Sequence, residues 1–217
     1  MADFATARLR MVDNQLRTSG VTDHRILAAM GTVRREAFLP ADREALAYAD
    51  VVHALGGGRY LGAPAPFARL LQLAEIAATD RVLDVGAGTG YSTAVLAQLA
   101  ATVTGLEMDA ALADQARANL QAGGVANAEV VVGSFDGAGL PHEHFDVIIL
   151  EGAVTAEPTP LFHLLREGGR LVALIAGGGP AVAHVFVKSA GEVAGRSEFN
   201  TSLPPLAEAP RIEAFVF

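Results

Sequence analysis

The stretch Arg81-Val82-Leu83-Asp84-Val85-Gly86-Ala87-Gly88-Thr89-Gly90 decides the fold that this sequence predicts. Its first half is a short apolar run, typical of a buried strand, and its second half is a glycine-rich turn. A helical pattern follows directly, with apolar side chains at Ala94, Val95 and Leu99. A strand, a glycine turn and a helix in this order begin a βαβ unit, which requires a parallel sheet.

The remainder of the chain continues this alternation of apolar runs and helical patterns. Further strands are predicted at 102–106, 129–132, 145–150, 170–175, 182–188 and 212–217, and the last two form a final pair for which we consider an antiparallel arrangement. Helices are predicted at 67–78, 110–122 and 160–166. We therefore predict a Rossmann-like α/β fold: a mostly parallel seven-stranded sheet with helices on both faces.

Composition excludes several classes of protein. The chain has no cysteine, which excludes disulfides and thiolate chemistry, and its six histidines form no ligand set, so we predict no metal site. The formal net charge of −8 disfavours a nucleic-acid partner. No apolar run approaches the ~18 residues of a membrane span, and the first residues lack a signal-peptide pattern, so we expect a cytoplasmic protein without a membrane partner.

An acidic residue at the end of the second predicted strand indicates what the glycine turn binds. Glu107 follows the glycines by about 20 residues, a spacing at which an acid accepts hydrogen bonds from both ribose hydroxyls. The alternative is a solvated strand end. Glycines in the turn allow a ligand to approach the backbone closely. Together the two features predict a cofactor that contains adenosine, bound across the strand ends.

The glycine spacing and a second acid distinguish between two such cofactors. A dinucleotide site requires G-x-G-x-x-G, whereas here the third glycine comes one residue early and Tyr91 takes its place. Asp84 would repel a pyrophosphate but attract the ammonium and sulfonium groups of S-adenosylmethionine. The alternative for Asp84 is an acid that caps a helix or braces the loop. We favour S-adenosylmethionine over NAD.

The predicted cofactor-binding residues lie in the glycine turn and directly after three further strands. They are Asp84, Gly86, Ala87, Gly88, Gly90, Tyr91, Glu107, Met108, Gly133, Ser134, Phe135 and Glu151. Phe135 is predicted either to pack on the adenine or to belong to the core, and Glu151 either to contact ligand or to be solvated. The chain is predicted as one domain, 1–217: a helical extension and active-site loop over 1–66, then the α/β core that binds the cofactor over 67–217.

Stretches throughout the chain resemble the protein-L-isoaspartate O-methyltransferase family. They are Met11-Val12-Asp13-Asn14-Gln15-Leu16, Val21–Met30, Arg35-Glu36-Ala37-Phe38-Leu39-Pro40, Ala47-Tyr48-Ala49-Asp50, Val82–Ser92 and Glu167-Gly168-Gly169-Arg170-Leu171-Val172. The resemblance implies a methyltransferase that uses S-adenosyl-L-methionine and acts in protein repair. Such enzymes methylate the α-carboxylate of an isoaspartyl residue. The resulting methyl ester carries a good leaving group, so a succinimide forms, and this ring reopens partly to aspartate.

The sequence departs from the family at the active-site loop. The family shows Gly-Gln-Thr-Ile-Ser-Gln-Pro, where this chain reads Gly58-Arg59-Tyr60-Leu61-Gly62-Ala63-Pro64. Gly62 replaces the serine and Ala63 the glutamine, so polar groups for the peptide carboxylate are missing. Arg59, Tyr60 and Gly62 are the candidate substrate-loop residues: Arg59 to pair with a substrate carboxylate and Tyr60 to hydrogen-bond or stack, unless the loop is simply exposed.

Four functions remain open from these residues. The first is a carboxyl methyltransferase acting on isoaspartyl residues, and the second is a methyltransferase for another protein, peptide or small molecule. The third is a cofactor-binding protein that has lost catalysis, which the changes at Gly62 and Ala63 motivate. The fourth is an NAD-dependent oxidoreductase, against which the glycine spacing argues.

Overall fold

The computed structural model describes residues 3–207, and nine strands lie within that range. They are β1 (His53–Gly56), β2 (Arg59–Leu61), β3 (Arg81–Val85), β4 (Thr102–Glu107), β5 (Ala128–Val132), β6 (Phe145–Val154), β7 (Leu165–Ile175), β8 (Val182–Ser189) and β9 (Glu192–Asn200). The last seven form one sheet in the order β5-β4-β3-β6-β7-β8-β9, and β1 and β2 form a separate hairpin. The pairs from β5 to β7 are parallel, whereas β8 pairs antiparallel with both β7 and β9. The predicted mostly parallel seven-stranded sheet is confirmed.

The described part of the chain contains five α-helices. They are α1 (Phe4–Met11), α2 (His24–Thr32), α3 (Pro64–Ala74), α4 (Tyr91–Leu96) and α5 (Ala110–Ala122). A π-helical turn at Val12–Leu16 and a 3-10 turn at Arg17–Ser19 continue α1, and further 3-10 helices lie at Arg35–Phe38, Glu44–Leu46 and Thr159–Leu164. Asp23 caps α2 and Asp109 caps α5, each through its carboxylate. None of the helices in residues 3–207 is long and apolar enough to cross a membrane.

Alternation along the strands divides the apolar residues between two cores. Val82 of β3 packs into the core that contains the buried residues of all five α-helices. Leu83 and Val85 face the other way, into a core covered by the 3-10 helix at Thr159–Leu164. Because successive side chains of a strand point to opposite faces, Asp84 lies on the α-helical side with Val82. This side of the sheet carries the polar residues discussed below.

Several predicted boundaries are wrong. The helix predicted at 67–78 is α3, which begins at Pro64 and ends at Ala74, and the predicted active-site loop before it contains the strand β2. The helix predicted at 160–166 is a 3-10 helix, and β7 begins at Leu165. The partner of β8 at the sheet edge is β9. This strand was not predicted from the sequence because most of its residues are polar and exposed. The predicted strand at 212–217 lies outside the described residues.

Candidate cofactor and acceptor site

Three acidic residues meet at the carboxyl ends of neighbouring strands. Asp84 lies on β3, Glu107 ends β4 and Glu151 lies on β6, and β3 pairs with both other strands in parallel. Val103, Val147 and Ile149 belong to the α-helical core, so the alternation places Glu107 and Glu151 on the same face as Asp84. In open α/β sheets, this edge is where ligands bind.

The glycine turn after β3 brings the backbone close to β4 and α5. The amides of Gly86 and Ala87 donate to the carbonyl of Leu106 at 2.8 and 3.2 Å. Gly90 has φ +93°, and a Cβ there would lie 3.1 Å from the Cβ of Ala116 on α5. A side chain at this position would therefore push α5 away from the turn, which explains the glycine.

Asp84 is fully buried, and only one of its two carboxylate oxygens accepts a hydrogen bond. Its Oδ2 accepts hydrogen bonds from the hydroxyls of Ser92 at 2.8 Å and Thr93 at 2.5 Å, both on α4. Its Oδ1 is buried without any partner in residues 3–207. Burial raises the pKa of Asp84 to about 6, against the two hydroxyl donors that lower it. The alternative of a brace for the following helix accounts for one oxygen and leaves the other free for a ligand.

Glu151 resembles Asp84 in having an unsatisfied oxygen. Its Oε1 is buried and has no hydrogen-bond partner among the described residues. Burial raises the pKa of Glu151 well above its usual range, and the nearby charge of Asp84 raises that pKa further. The residue as a whole is only half-buried, so its contact with a ligand stays a prediction. A cation brought between these two carboxylates would stabilise their ionised forms.

Glu107 is also fully buried, but both of its oxygens have donors. Oε2 accepts from the backbone amide of Gly88 at 2.7 Å. Oε1 accepts from the amides of Met108 and Asp109 at 2.8 and 3.1 Å. These three amides fix the carboxylate at the strand end, so the alternative of a solvated strand end is wrong. Met108 contributes its amide, whereas half of its surface is exposed.

Arg59 is the fourth partner of Glu107. Its Nε lies 3.3 Å from Glu107 Oε1, and only 3% of the Arg59 surface is exposed. Its Nη2 donates to the carbonyl of Gly86 at 2.9 Å, and its Nη1 to the carbonyl of Leu206. The alternative of a fully exposed loop is therefore wrong for Arg59. In this structure the guanidinium pairs with an acid of the protein itself.

The residues after β5 supply one aromatic face to the site. Phe135 is partly buried against the second core, and its ring centroid lies 4.9 Å from the Arg59 guanidinium carbon. The ring therefore packs on the core and contacts Arg59, and its packing on an adenine stays a prediction. Gly133 lies next to it and donates its amide to the carbonyl of Glu107 at 3.0 Å, whereas Ser134 is exposed.

Tyr91 lies behind the glycine turn in a buried aromatic cluster. Its ring packs on Phe38 and Phe67, with centroid distances of 5.7 and 6.0 Å. The guanidinium of Arg35, which is completely buried, lies 4.8 Å from the Tyr91 centroid and donates to the carbonyl of Gly62 at 2.6 Å. Tyr91 therefore supports the substrate loop. Reasoning from sequence missed Arg35 because an arginine in a short polar segment is usually exposed.

The substrate loop lies under a segment near the end of the described chain. A Cβ at Gly62 would lie 2.6 Å from Leu203 Cδ2, and one at Gly86 would lie 2.5 Å from Leu206 Cδ1. Pro205 forms a parallel bridge with Ala153, just beyond β6 residue Glu151. Tyr60 is half-buried. Sequence reasoning missed this segment because its Ser-Leu-Pro-Pro-Leu stretch has neither helical nor strand periodicity.

The residues at these strand ends fit the predicted cofactor chemically. Asp84 Oδ1 and Glu151 Oε1 are buried acceptors without donors, which an ammonium group satisfies in both charge and hydrogen bonding. Glu107 offers a fixed carboxylate for hydroxyl groups, and Phe135 an aromatic face. In this conformation Arg59 and Leu206 lie directly in front of Gly86. Residues 3–207 contain no group of three acids or histidines that could hold a metal ion.

Comparison with known proteins identifies the family. A sequence model of the protein-L-isoaspartate(D-aspartate) O-methyltransferase family matches residues 8–209. A protein-L-isoaspartate O-methyltransferase of Koribacter versatilis is 42% identical over 195 residues, covering 89% of this chain and 87% of the relative. One of Methanoculleus marisnigri is 40% identical over 181 residues, covering 83% of this chain and 81% of the relative.

Solved structures support the fold. A protein-L-isoaspartate O-methyltransferase superposes with a TM-score of 0.79 at 26% identity, over 91% of this chain and 65% of that one. A Plasmodium falciparum β-aspartate methyltransferase, solved with S-adenosyl-L-homocysteine, superposes with a TM-score of 0.77 at 22% identity, over 92% of this chain and 97% of that one. The predictions of family, fold and enzyme class are confirmed. The chain belongs to the protein-L-isoaspartate(D-aspartate) O-methyltransferase family, whose members are S-adenosylmethionine-dependent methyltransferases.

Proposed function

We propose that this protein transfers the methyl group of S-adenosylmethionine to a carboxylate oxygen of isoaspartyl or D-aspartyl residues in damaged proteins. The observation that carries the proposal is the family match over residues 8–209, which includes the glycine turn and the loop before α3. The cofactor supplies a methyl group on a positively charged sulfur. The predicted cytoplasmic location and the predicted absence of a nucleic-acid partner remain predictions.

The proposed roles of the acidic residues follow from their hydrogen bonding. Asp84 and Glu151 would hold the amino group of the methionine moiety, because each has a buried oxygen without a donor. Glu107 would accept hydrogen bonds from the ribose, because backbone amides already fix its orientation. Phe135 would pack against the base. These acids orient the ligand, since a buried ion pair gains little net affinity after desolvation.

The acceptor chemistry requires little of the protein besides alignment. A carboxylate is already a nucleophile, so no general base is needed to remove a proton. The protein has to hold the carboxylate oxygen in line with the methyl group and to exclude water. The substrate loop and the Leu203–Leu206 segment, which cover the strand ends, are placed to exclude water.

Methyl transfer from labelled S-adenosylmethionine tests the proposal. An isoaspartyl peptide should acquire a base-labile methyl ester, and the same peptide with an ordinary aspartate should not. Equal labelling of both peptides would contradict the proposed specificity. No labelling of either peptide, with cofactor binding shown by calorimetry, would contradict the proposed acceptor.

A second candidate is methyl transfer to a different carboxylate. Gly62 replaces the serine of the family loop, and its α-carbon packs so closely on Leu203 that a side chain would collide with Leu203 Cδ2. Ala63, which replaces the family's glutamine, is buried. The loop therefore offers fewer polar side chains to an isoaspartyl residue. Labelling of a cell extract that is not competed by isoaspartyl peptide would favour this candidate.

A further inference from the structure

Arg59 fills the part of the crevice that the proposed function assigns to the nucleoside. Its guanidinium contacts Glu107, the carbonyl of Gly86 and the ring of Phe135, at 3.3, 2.9 and 4.9 Å. With only 3% of its surface exposed, Arg59 lies inside the crevice and not at its rim. The proposed ribose-binding acid, the glycine turn and the proposed adenine-binding ring thus all contact this one side chain.

The guanidinium and a ligand cannot share this space. A single carbon atom attached to Gly86 would lie 2.6 Å from Arg59 Nη2 and 2.5 Å from Leu206 Cδ1. Both distances are shorter than van der Waals contact, so no free volume remains in front of Gly86. A nucleoside that approaches this glycine has to displace Arg59, and Leu206 with it, because Arg59 Nη1 donates to the Leu206 carbonyl.

The contacts of Glu107 make this displacement feasible. The three backbone amides that donate to Glu107 lie at 2.7 to 3.1 Å, whereas the Arg59 nitrogens lie at 3.3 to 3.4 Å from its oxygens. The longer contacts are at the loose end of the hydrogen-bond range. Glu107 therefore keeps its orientation through the backbone when Arg59 leaves, and ribose hydroxyls replace the guanidinium.

The hairpin that carries Arg59 is built to move without unfolding the core. Gly56, the last residue of β1, and Gly57 and Gly58, which connect β1 to β2, have φ values of +97°, +57° and +71°. The two strands contain only four and three residues, and within residues 3–207 they pair with no other strand. A two-stranded hairpin is marginally stable by itself, so this one can shift by giving up side-chain packing of Leu55 and Leu61 without breaking a hydrogen bond of the main sheet.

We propose that Arg59 is a built-in competitor of the cofactor, which occupies the ribose position on Glu107 and sets the affinity of the site. The proposal rests on the proposed function for the identity of the ligand. Cofactor binding then includes the release of Arg59 from Glu107 and the opening of the β1–β2 hairpin. A shorter neutral side chain at position 59 removes the competitor but leaves Glu107 held by its three amides.

Calorimetric titration with S-adenosylhomocysteine tests this role through binding alone. Arg59→Gln should bind at least tenfold more tightly than the unchanged protein, and Arg59→Lys, which keeps the charge but loses the planar fork, should lie between them. Arg166→Gln is the matched control, because Arg166 forms a half-exposed ion pair with Asp146. Its affinity should equal that of the unchanged protein. Circular dichroism establishes that each variant is folded.

The outcomes separate this proposal from the proposed function. Equal or weaker binding by both Arg59 variants would overturn the competitor role, and weaker binding would show that Arg59 contacts the ligand. Should Arg59→Gln fail to fold, the result for Arg59→Lys decides. If none of the four proteins binds S-adenosylhomocysteine at millimolar concentration, the proposed cofactor is wrong and the competitor role falls with it.

Discussion

The acids at the two ends of the crevice differ in the hydrogen-bond donors that reach their carboxylate oxygens. Glu107, at the end of β4, has three backbone amides and a guanidinium around its carboxylate. Asp84 and Glu151, on β3 and β6, each have a buried oxygen that no donor in the described part of the chain reaches. Both ends are acidic, yet only Glu107 has hydrogen-bond donors for both of its oxygens without a ligand.

This difference indicates which ligand groups each end receives. A carboxylate already fixed by amides exchanges one partner for another at little cost, which suits neutral hydroxyls. Two carboxylates that each have a buried oxygen without a donor and a raised pKa gain most from a positive charge, which suits an ammonium group. Substitutions at these acids separate the two ends.

Glu107→Ala should be the most damaging change. It leaves the buried guanidinium of Arg59 without an anion and three backbone amides without an acceptor. Removing one partner of a buried ion pair costs about 3–5 kcal/mol, so the free energy of unfolding should fall by that amount. Urea unfolding measures it. Glu107→Gln, which keeps one acceptor oxygen, should lose less; equal loss in both variants would mean that the charge alone matters.

Asp84→Asn should weaken ligand binding but strengthen the fold. The folded-state pKa of Asp84 is about 6, above its ordinary value of 3.8, so the folded protein holds the proton more tightly than the unfolded chain. Ionising Asp84 therefore destabilises the fold as the pH rises from about 4 to 6. At pH 8 the variant should be about 1–3 kcal/mol more stable than the unchanged protein, and the gain should vanish near pH 4.

The same Asp84→Asn variant should bind S-adenosylhomocysteine about tenfold less tightly at pH 8, since the ammonium loses an anionic partner. Titration calorimetry measures this loss. Ser92→Ala is a useful control, because it removes one hydroxyl donor to Asp84 but keeps the carboxylate. An Asp84→Asn protein that is less stable at pH 8, yet binds normally, would refute the contrast between the two ends.

The affinity of the unchanged protein should depend on pH in a predictable direction. A ligand ammonium favours ionised Asp84, whose pKa is about 6 without ligand. Affinity for S-adenosylhomocysteine should therefore rise several-fold from pH 5 to pH 7, with release of protons on binding below pH 6. Titrations in buffers of different ionisation enthalpy count these protons. Affinity that falls over this range would place the ammonium elsewhere.

Gly62→Ser should give the smallest effect and concerns the acceptor end. The new side chain meets Leu203 Cδ2, the flexible end of a buried side chain, so the loss of stability should be about 1 kcal/mol. In a Leu203→Ala background the same change should cost nothing. Thermal unfolding of the four proteins of this cycle measures the coupling; additive effects would show that the two residues do not contact.

The sequence was sufficient to predict the parallel part of the sheet and its acidic edge. Strand β3 followed by glycines, and Glu107 at the end of β4, are local patterns that follow from backbone geometry and alternation. Asp84, Glu107 and Glu151 share one face because each lies an even number of residues from a buried valine or isoleucine of its strand. Helix α5 was predicted with its bounds, because Asp109 caps it and glycines follow it.

The contacts between distant segments were beyond sequence reasoning. Arg59 reaches Glu107 across 48 positions and Leu206 across 147, and no local pattern encodes either contact. A tertiary contact also reversed the expected exposure of Arg35, which is fully buried. The contacts of Leu203 and Leu206 were also not predicted, because two leucines among prolines have no helical or strand periodicity. The sequence therefore identified residues of the substrate loop but not the contacts that those residues make.

A crystal structure of the protein with S-adenosylhomocysteine at pH 7 tests the central claim most directly. We predict that the amino group of the ligand lies within hydrogen-bond distance of Asp84 and Glu151, and that its ribose hydroxyls lie on Glu107. A ligand bound away from all three carboxylates would contradict the account.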